Sequence, residues 1–252
     1  MLFRLLFFTL FMGACGGNAQ LRGQVVDIWG NPIEGATVKM EGHAERPMTN
    51  SNGWFNLPDV SGEQKIKAGR EGYIEDEIRV TVGKDAAPPI LRLYPRPEKT
   101  GFFVVGSNGY EVLQPEPVKA LGNEIKAVYG VKTLGDTSVD GDEIKIVYHT
   151  ELRLDQVMTL EPEFHKLSFK RDAELHGALS TEVRVNLWVS EKPLETVISP
   201  LKSRTDYLIT TKTSLESGAY ALTTYNLLNP SSDEAFDKIA KPLRLIFPVE
   251  LR

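Results

Sequence analysis

The chain has 252 residues, 41% apolar and 25% charged, an ordinary globular composition with length for one large fold or two small ones. Its formal charge is −5, with 29 basic against 34 acidic side chains and no basic stripe along the sequence. Such a chain lacks the electrostatic footprint of a nucleic-acid binder, so that partner class is set aside. Cys15 is its single cysteine, which excludes an intramolecular disulfide framework.

The first residues place Arg4 ahead of an apolar run over 5–12, followed by small residues. That run is too short for a bilayer span, which takes about 20 residues, and has the layout of an export signal. Its end, Met12-Gly13-Ala14-Cys15, resembles a bacterial lipobox, in which the cysteine receives diacylglycerol on its sulfur. The resemblance implies a signal peptide over 1–14, lipidation at Cys15 and a lipidated tether over 15–20. Acylation would also remove the liability of a lone thiol in an oxidising compartment. Gly16 rather than aspartate follows the cysteine. By resemblance to enterobacterial sorting, that implies the bacterial outer membrane. The competing reading is a cut after Ala19, which discards Cys15 and releases a soluble periplasmic protein.

From Leu21 short alternating runs are broken by turn residues at close spacing, the pattern of an all-β sandwich. A turn cluster over 27–32 separates strands at 23–26 and 36–40, and Asn50-Ser51-Asn52-Gly53 precedes a strand from Trp54. Gly72-Tyr73 opens a further strand predicted to run through Val82. Val25, Val38, Phe55, Leu57 and Ile66 fall on alternating positions that would face one core.

These residues carry a family resemblance. Gly23-x-Val25-x-Asp27-x-x-Gly30-x-Pro32-Ile33-x-Gly35-Ala36-x-Val38, then Thr49-x-x-x-Gly53-x-Phe55-x-Leu57, then Gly62, Ile66 and Gly72-Tyr73, resemble the carboxypeptidase regulatory-like domain over residues 21–95. The resemblance implies a seven-stranded, transthyretin-like sandwich without catalytic residues, used for folding, spacing or interaction.

Pro95 and Pro97 cannot sit in a central strand, so 96–101 reads as a linker. Strands resume over 102–252, a β-rich region expected to form a second, Ig-like sandwich. The clearest is the alternation of Val183, Val185, Leu187 and Val189. Only 231–240 reads as a helix, with Ser231 and Glu234 spaced as a capping box and Pro242 ending it.

Catalytic signals are weak. Ser199 and Lys202 have the S-x-x-K spacing and Lys99-Thr100-Gly101 reads K-T-G, but their order is the reverse of that in penicillin-binding enzymes. The histidines His43, His149, His165 and His176 lack zinc-helix spacing and read as solvated or hydrogen-bonded. Asp136, Asp140 and Asp142 are weak calcium candidates, with Asp140-Gly141 read as a hairpin turn; no metal or other cofactor is expected. Trp29 and Trp54, in or beside turns, are the candidate partner-binding or interdomain residues, the alternative being that each caps the end of the sandwich.

The expected function is therefore that of a non-catalytic binding, scaffold or assembly factor of the cell envelope. Its partners would be the membrane, through the anchor, and an envelope protein or glycan. A carbohydrate or peptidoglycan binder is the alternative, distinguished by aromatics lining a groove in the second half; a hydrolase within 100–252 ranks third.

Overall fold

A computed structural model describes residues 19–60, 62–82, 87–123, 126–176 and 182–252. Cys15 and the expected signal peptide lie outside the described residues. The fold is all-β. No described helix is long and apolar enough to cross a membrane.

Residues 19–95 form two facing sheets. One has the order Trp54–Val60, Ala19–Asp27, Ile90–Pro95, Tyr73–Ile74; the other has the order Thr37–Met40, Gly62–Gly69, Asp76–Val82. Val25, Val38, Phe55, Leu57 and Ile66, expected to share one core, are all buried between the sheets. The single strand expected from Tyr73 through Val82 is instead two. Tyr73–Ile74 pairs with Ile90–Pro95, and after Glu75 the chain crosses to the other sheet. The apolar pattern misses this break because both pieces bury apolar residues in the same core.

Local chemistry accounts for the motif spacing. The Asp27 carboxylate accepts from the backbone amides of Trp29 and Asn31 at 2.9 and 2.8 Å, fixing the turn in which Gly30 takes φ +90°. Thr49 Oγ1 donates to Ile33 O at 2.6 Å and accepts from Ala36 N at 2.8 Å. Gly53 has φ +74°, and a Cβ there would stand 2.4 Å from Val25 O, so only glycine lets this turn close against the first strand.

The second sandwich faces a five-stranded sheet against an eight-stranded one. The smaller has the order Thr196–Pro200, Asp206–Thr211, Ile146–His149, Gly101–Val105, Tyr110–Val112. The larger centres on the long hairpin Glu163–His176 and Glu182–Leu194, flanked by Gly218–Thr223 and Leu245–Leu251 on one side and Lys126–Val131 on the other. Phe102, Ile146, Tyr207 and Ile209 meet Phe164, Tyr220, Leu222 and Val249 between the sheets. The larger sheet also buries Leu167, Ala221 and Ile246 on its outer face, beneath Leu227, Leu228 and Phe236. This sandwich is thus more than an Ig-like outline, with a third layer supplied by the connection between its last two strands. Leu187 and Val189 are buried as their alternation requires, whereas the side chains of Val183 and Val185 lie outside the described residues.

The helix in that connection spans Asp233–Lys238, and its cap is Ser232 rather than Ser231, with Ser232 Oγ accepting from Ala235 N at 3.1 Å. Two adjacent serines before an acidic pair offer both frames, and packing of Phe236 against the sheet selects one. A second helix, Leu154–Met158, was not expected; its single turn buries only Val157 and leaves no periodic pattern to read. Asp140-Gly141 is not a hairpin turn: the preceding Ser138–Val139 pairs in parallel with Leu245–Leu251, and Gly141 N donates to Arg252 O.

Candidate functional site

The polar and aromatic contacts between the two sandwiches gather into a joint. The first strand, Ala19–Asp27, and the last of its sheet, Ile90–Pro95, run parallel with Gln24 opposite Ile90 and Asp27 opposite Leu93. The turn carrying Trp29 therefore sits at the end of the sandwich from which the chain leaves toward Gly101.

Trp29 reaches the second sandwich. Its Nε1–H donates to Gly106 O at 2.8 Å, and its ring meets Tyr110 edge-on at 5.3 Å between centroids. Tyr110 in turn donates its hydroxyl to Pro95 O at 2.9 Å and packs near Phe103. Burial pushes the Tyr110 hydroxyl well above its usual range, keeping it a neutral donor. Pro95, expected outside any central strand, is the last residue of the interior strand Ile90–Pro95, opposite Tyr73. The stretch after it is also attached: Arg96 N donates to Gly72 O at 2.8 Å, and Pro97 is buried, while 98–100 are exposed.

A buried carboxylate completes the joint. Asp206 is 0% exposed; it receives His149 Nδ1 at 2.7 Å and Thr205 Oγ1 at 3.1 Å, also accepts from Ser203 Oγ, and has the Arg96 Nε at 3.7 Å. A carboxylate sealed from water is costly unless paired in this way. At the rim Lys202 binds Glu77 of the first sandwich at 2.8 Å. With Lys65 on its other side, Lys202 holds the Glu77 carboxyl below its usual range.

Trp54 is at the same end but not in the joint. It lies opposite Gln24 on the outer sheet face, with the Arg22 guanidinium 4.2 Å above its ring, and neither its contacts nor those of Trp29 bring the two indoles together. Sequence reading missed Asp206 and Arg96, because only the register placing Asp206 opposite His149 reveals the pair.

The remaining candidates are dispersed. Asp136, Asp140 and Asp142 are exposed, and among the described residues no group of three acidic, histidine or cysteine side chains is placed to hold a metal. Lys202 turns to Glu77 rather than Ser199. His43 is exposed, and the side chain of His176 is outside the described residues. His165 is 0% exposed, with Ser190 Oγ at 2.8 Å from Nδ1 and Glu163 Oε2 at 3.3 Å from Nε2. Burial lowers its pKa, with Glu163 opposing, so the ring is held neutral in the core.

Two grooves of about 470 and 310 Å³ share Glu161 and Asn226; Glu163 lines the larger, and Tyr225 lines the smaller. Neither reaches Ser190, so neither would seat a substrate carbonyl beside its hydroxyl. Glu161, Tyr225 and Asn226 all take positive φ there, and Asn226 Oδ1 is buried without a partner among the described residues.

The fold and joint thus define an all-β protein of two attached sandwiches. Residues 20–91 match the family model of the carboxypeptidase regulatory-like domain. No curated protein matches the chain. Among solved structures, the major pilin subunit BcpA of Bacillus cereus overlaps 92% of this chain and 68% of its own, at 8% identity and a TM-score of 0.23. A single-substitution variant of that pilin overlaps 92% and 67%, at 11% identity and a TM-score of 0.25. Overlaps this loose carry no functional argument.

Proposed function

We propose that the chain is a non-catalytic, lipid-anchored protein of the bacterial envelope, a binding, scaffold or assembly factor whose first sandwich is a spacer. One observation carries this reading: the parallel pairing of Gln24–Asp27 with Ile90–Leu93 makes the chain enter the sandwich at one end and leave at the other. With Cys15 acylated, the tether to Ala19 would keep the entry end near the lipid, and the exit end would carry the second sandwich away from it. Strand residues 21–27 alone span roughly 20 Å. A regulatory-like domain with no catalytic set fits a spacer, and the Trp29 and Asp206 contacts supply the stiffness that a spacer needs.

The tether is tested by growing cells with a fatty-acid probe and separating membranes from soluble contents. Wild type should be labelled and pellet with membranes, while Cys15→Ser should be unlabelled and soluble. Equal labelling of both would contradict the anchor and favour release after Ala19.

A further inference from the structure

We propose that the outer face of the smaller sheet in the first sandwich binds a phosphate-containing anion carrying at least two negative charges. This inference stands independently of the tether. The site is a groove of about 550 Å³, a volume typical of small-ligand sites and larger than one inorganic phosphate requires. Five cations line it, Lys39, Arg46, Lys67, Arg70 and Arg96, against the carboxylates Glu71 and Glu75. With Asp206 counted beside Arg96, that is a local excess of two positive charges in a chain of net charge −5. They come from separate strands and loops, which is why no basic stripe is visible along the sequence.

Strand alternation sets the geometry. Val38, Met40, Ile66 and Ala68 face the core, so Lys39 and Lys67 face out, directly opposite each other in the ladder. Like charges at that spacing repel unless something negative lies between or beside them. Glu75 neutralises Lys67 by an ion pair. Lys39 and Arg46 have no carboxylate partner among the described residues, and the contact of Arg70 is a long hydrogen bond to Gly35 O at 3.4 Å. Two cations without a carboxylate partner, and a third held only to a backbone oxygen, surround one concavity and fit a ligand that presents several acceptor oxygens at once. Guanidinium groups meet phosphate through paired N–H donors, and a second anionic group would answer Lys39. Arg96, which also lines the groove, has its Nε 3.7 Å from Asp206 and is thereby already partnered.

The test uses the full chain carrying Cys15→Ser, so that no acyl group can carry it to vesicles. Calorimetric titration with inorganic pyrophosphate is paired with flotation on phosphatidylcholine vesicles with and without cardiolipin. Saturable binding is expected, weakened at least about tenfold in Arg46→Ala/Arg70→Ala and less in Arg46→Lys/Arg70→Lys. These side chains are exposed, so the variants should unfold at the wild-type temperature, which a thermal scan verifies. Binding of pyrophosphate alone assigns the site to soluble phosphates, and cardiolipin-dependent flotation lost in the same variants assigns it to a lipid headgroup; either supports the proposal. Wild type binding neither probe, or both alanine substitutions leaving binding unchanged, overturns it.

Discussion

In the first sandwich the polar contacts that shape the turns join near neighbours: Asp27 to Asn31, four residues away, and Thr49 to Ala36 and Ile33, 13 and 16 away. In the second they join distant strands: His149 to Asp206 across 57 residues, and Tyr207 to Leu152 O across 55. The first arrangement can form as each hairpin closes and leaves a motif in the sequence. The second exists only when strands distant in sequence have paired, and it is there that the fully buried ionisable groups His165 and Asp206 lie, both 0% exposed. A short-range sandwich suits a reusable spacer, and a long-range one concentrates individuality in its interior and at the joint.

Core truncation should separate the two most strongly. Phe55→Ala in the first core and Phe164→Ala in the second each remove a ring that is at most 1% exposed. Each should cost about 3–5 kcal/mol. In chemical denaturation Phe55→Ala should shift one transition and Phe164→Ala the other; a single transition moved equally by both would show that the sandwiches unfold as one. Next, Gly53→Ala should cost about 1–3 kcal/mol from backbone strain, with the close approach to Val25 O adding to it. Because that turn is local, the loss should appear in the first transition only.

The pH response should belong to the second sandwich. The folded pKa of His165 is lowered from the ordinary 6.5 by burial, so the unfolded chain takes up a proton first as pH falls. The contribution is complete above pH 6.5 and is lost as pH falls through the lowered folded value. One such group gives a slope of at most about 1.4 kcal/mol per pH unit. Unfolding measured between pH 7 and 5 should show it in the second transition, and His165→Gln should flatten it. The smallest effect is expected from Trp29→Phe, which keeps a ring against Tyr110 but removes the donor to Gly106 O. About 1 kcal/mol of coupling should disappear, read as faster proteolytic nicking within the exposed 98–100 stretch.

The same contrast explains what could be read in advance. Alternation located Val25, Phe55 and Leu57 because burial on one sheet face repeats every second residue. The turn residues Asp27, Gly30 and Gly53 were visible because their chemistry acts within a few positions. Trp29 stood out as a large aromatic in a turn, but its acceptor is a backbone oxygen 77 residues away, which carries no side-chain signature. Asp206 and Arg96 look like ordinary surface charges until register brings them together. The cations of the phosphate groove were equally hidden, since Lys39 and Lys67 become neighbours only through strand pairing.

If the joint holds the second sandwich in one direction from the first, the distance between them is fixed. Spin labels placed at the exposed Glu63→Cys and Glu234→Cys positions, in a chain carrying Cys15→Ser, report it by pulsed dipolar spectroscopy. A rigid joint gives a single narrow distance distribution that broadens when Trp29→Ala and Arg96→Ala are combined. A broad distribution before any joint residue is changed, or a narrow one that survives both substitutions, would contradict it.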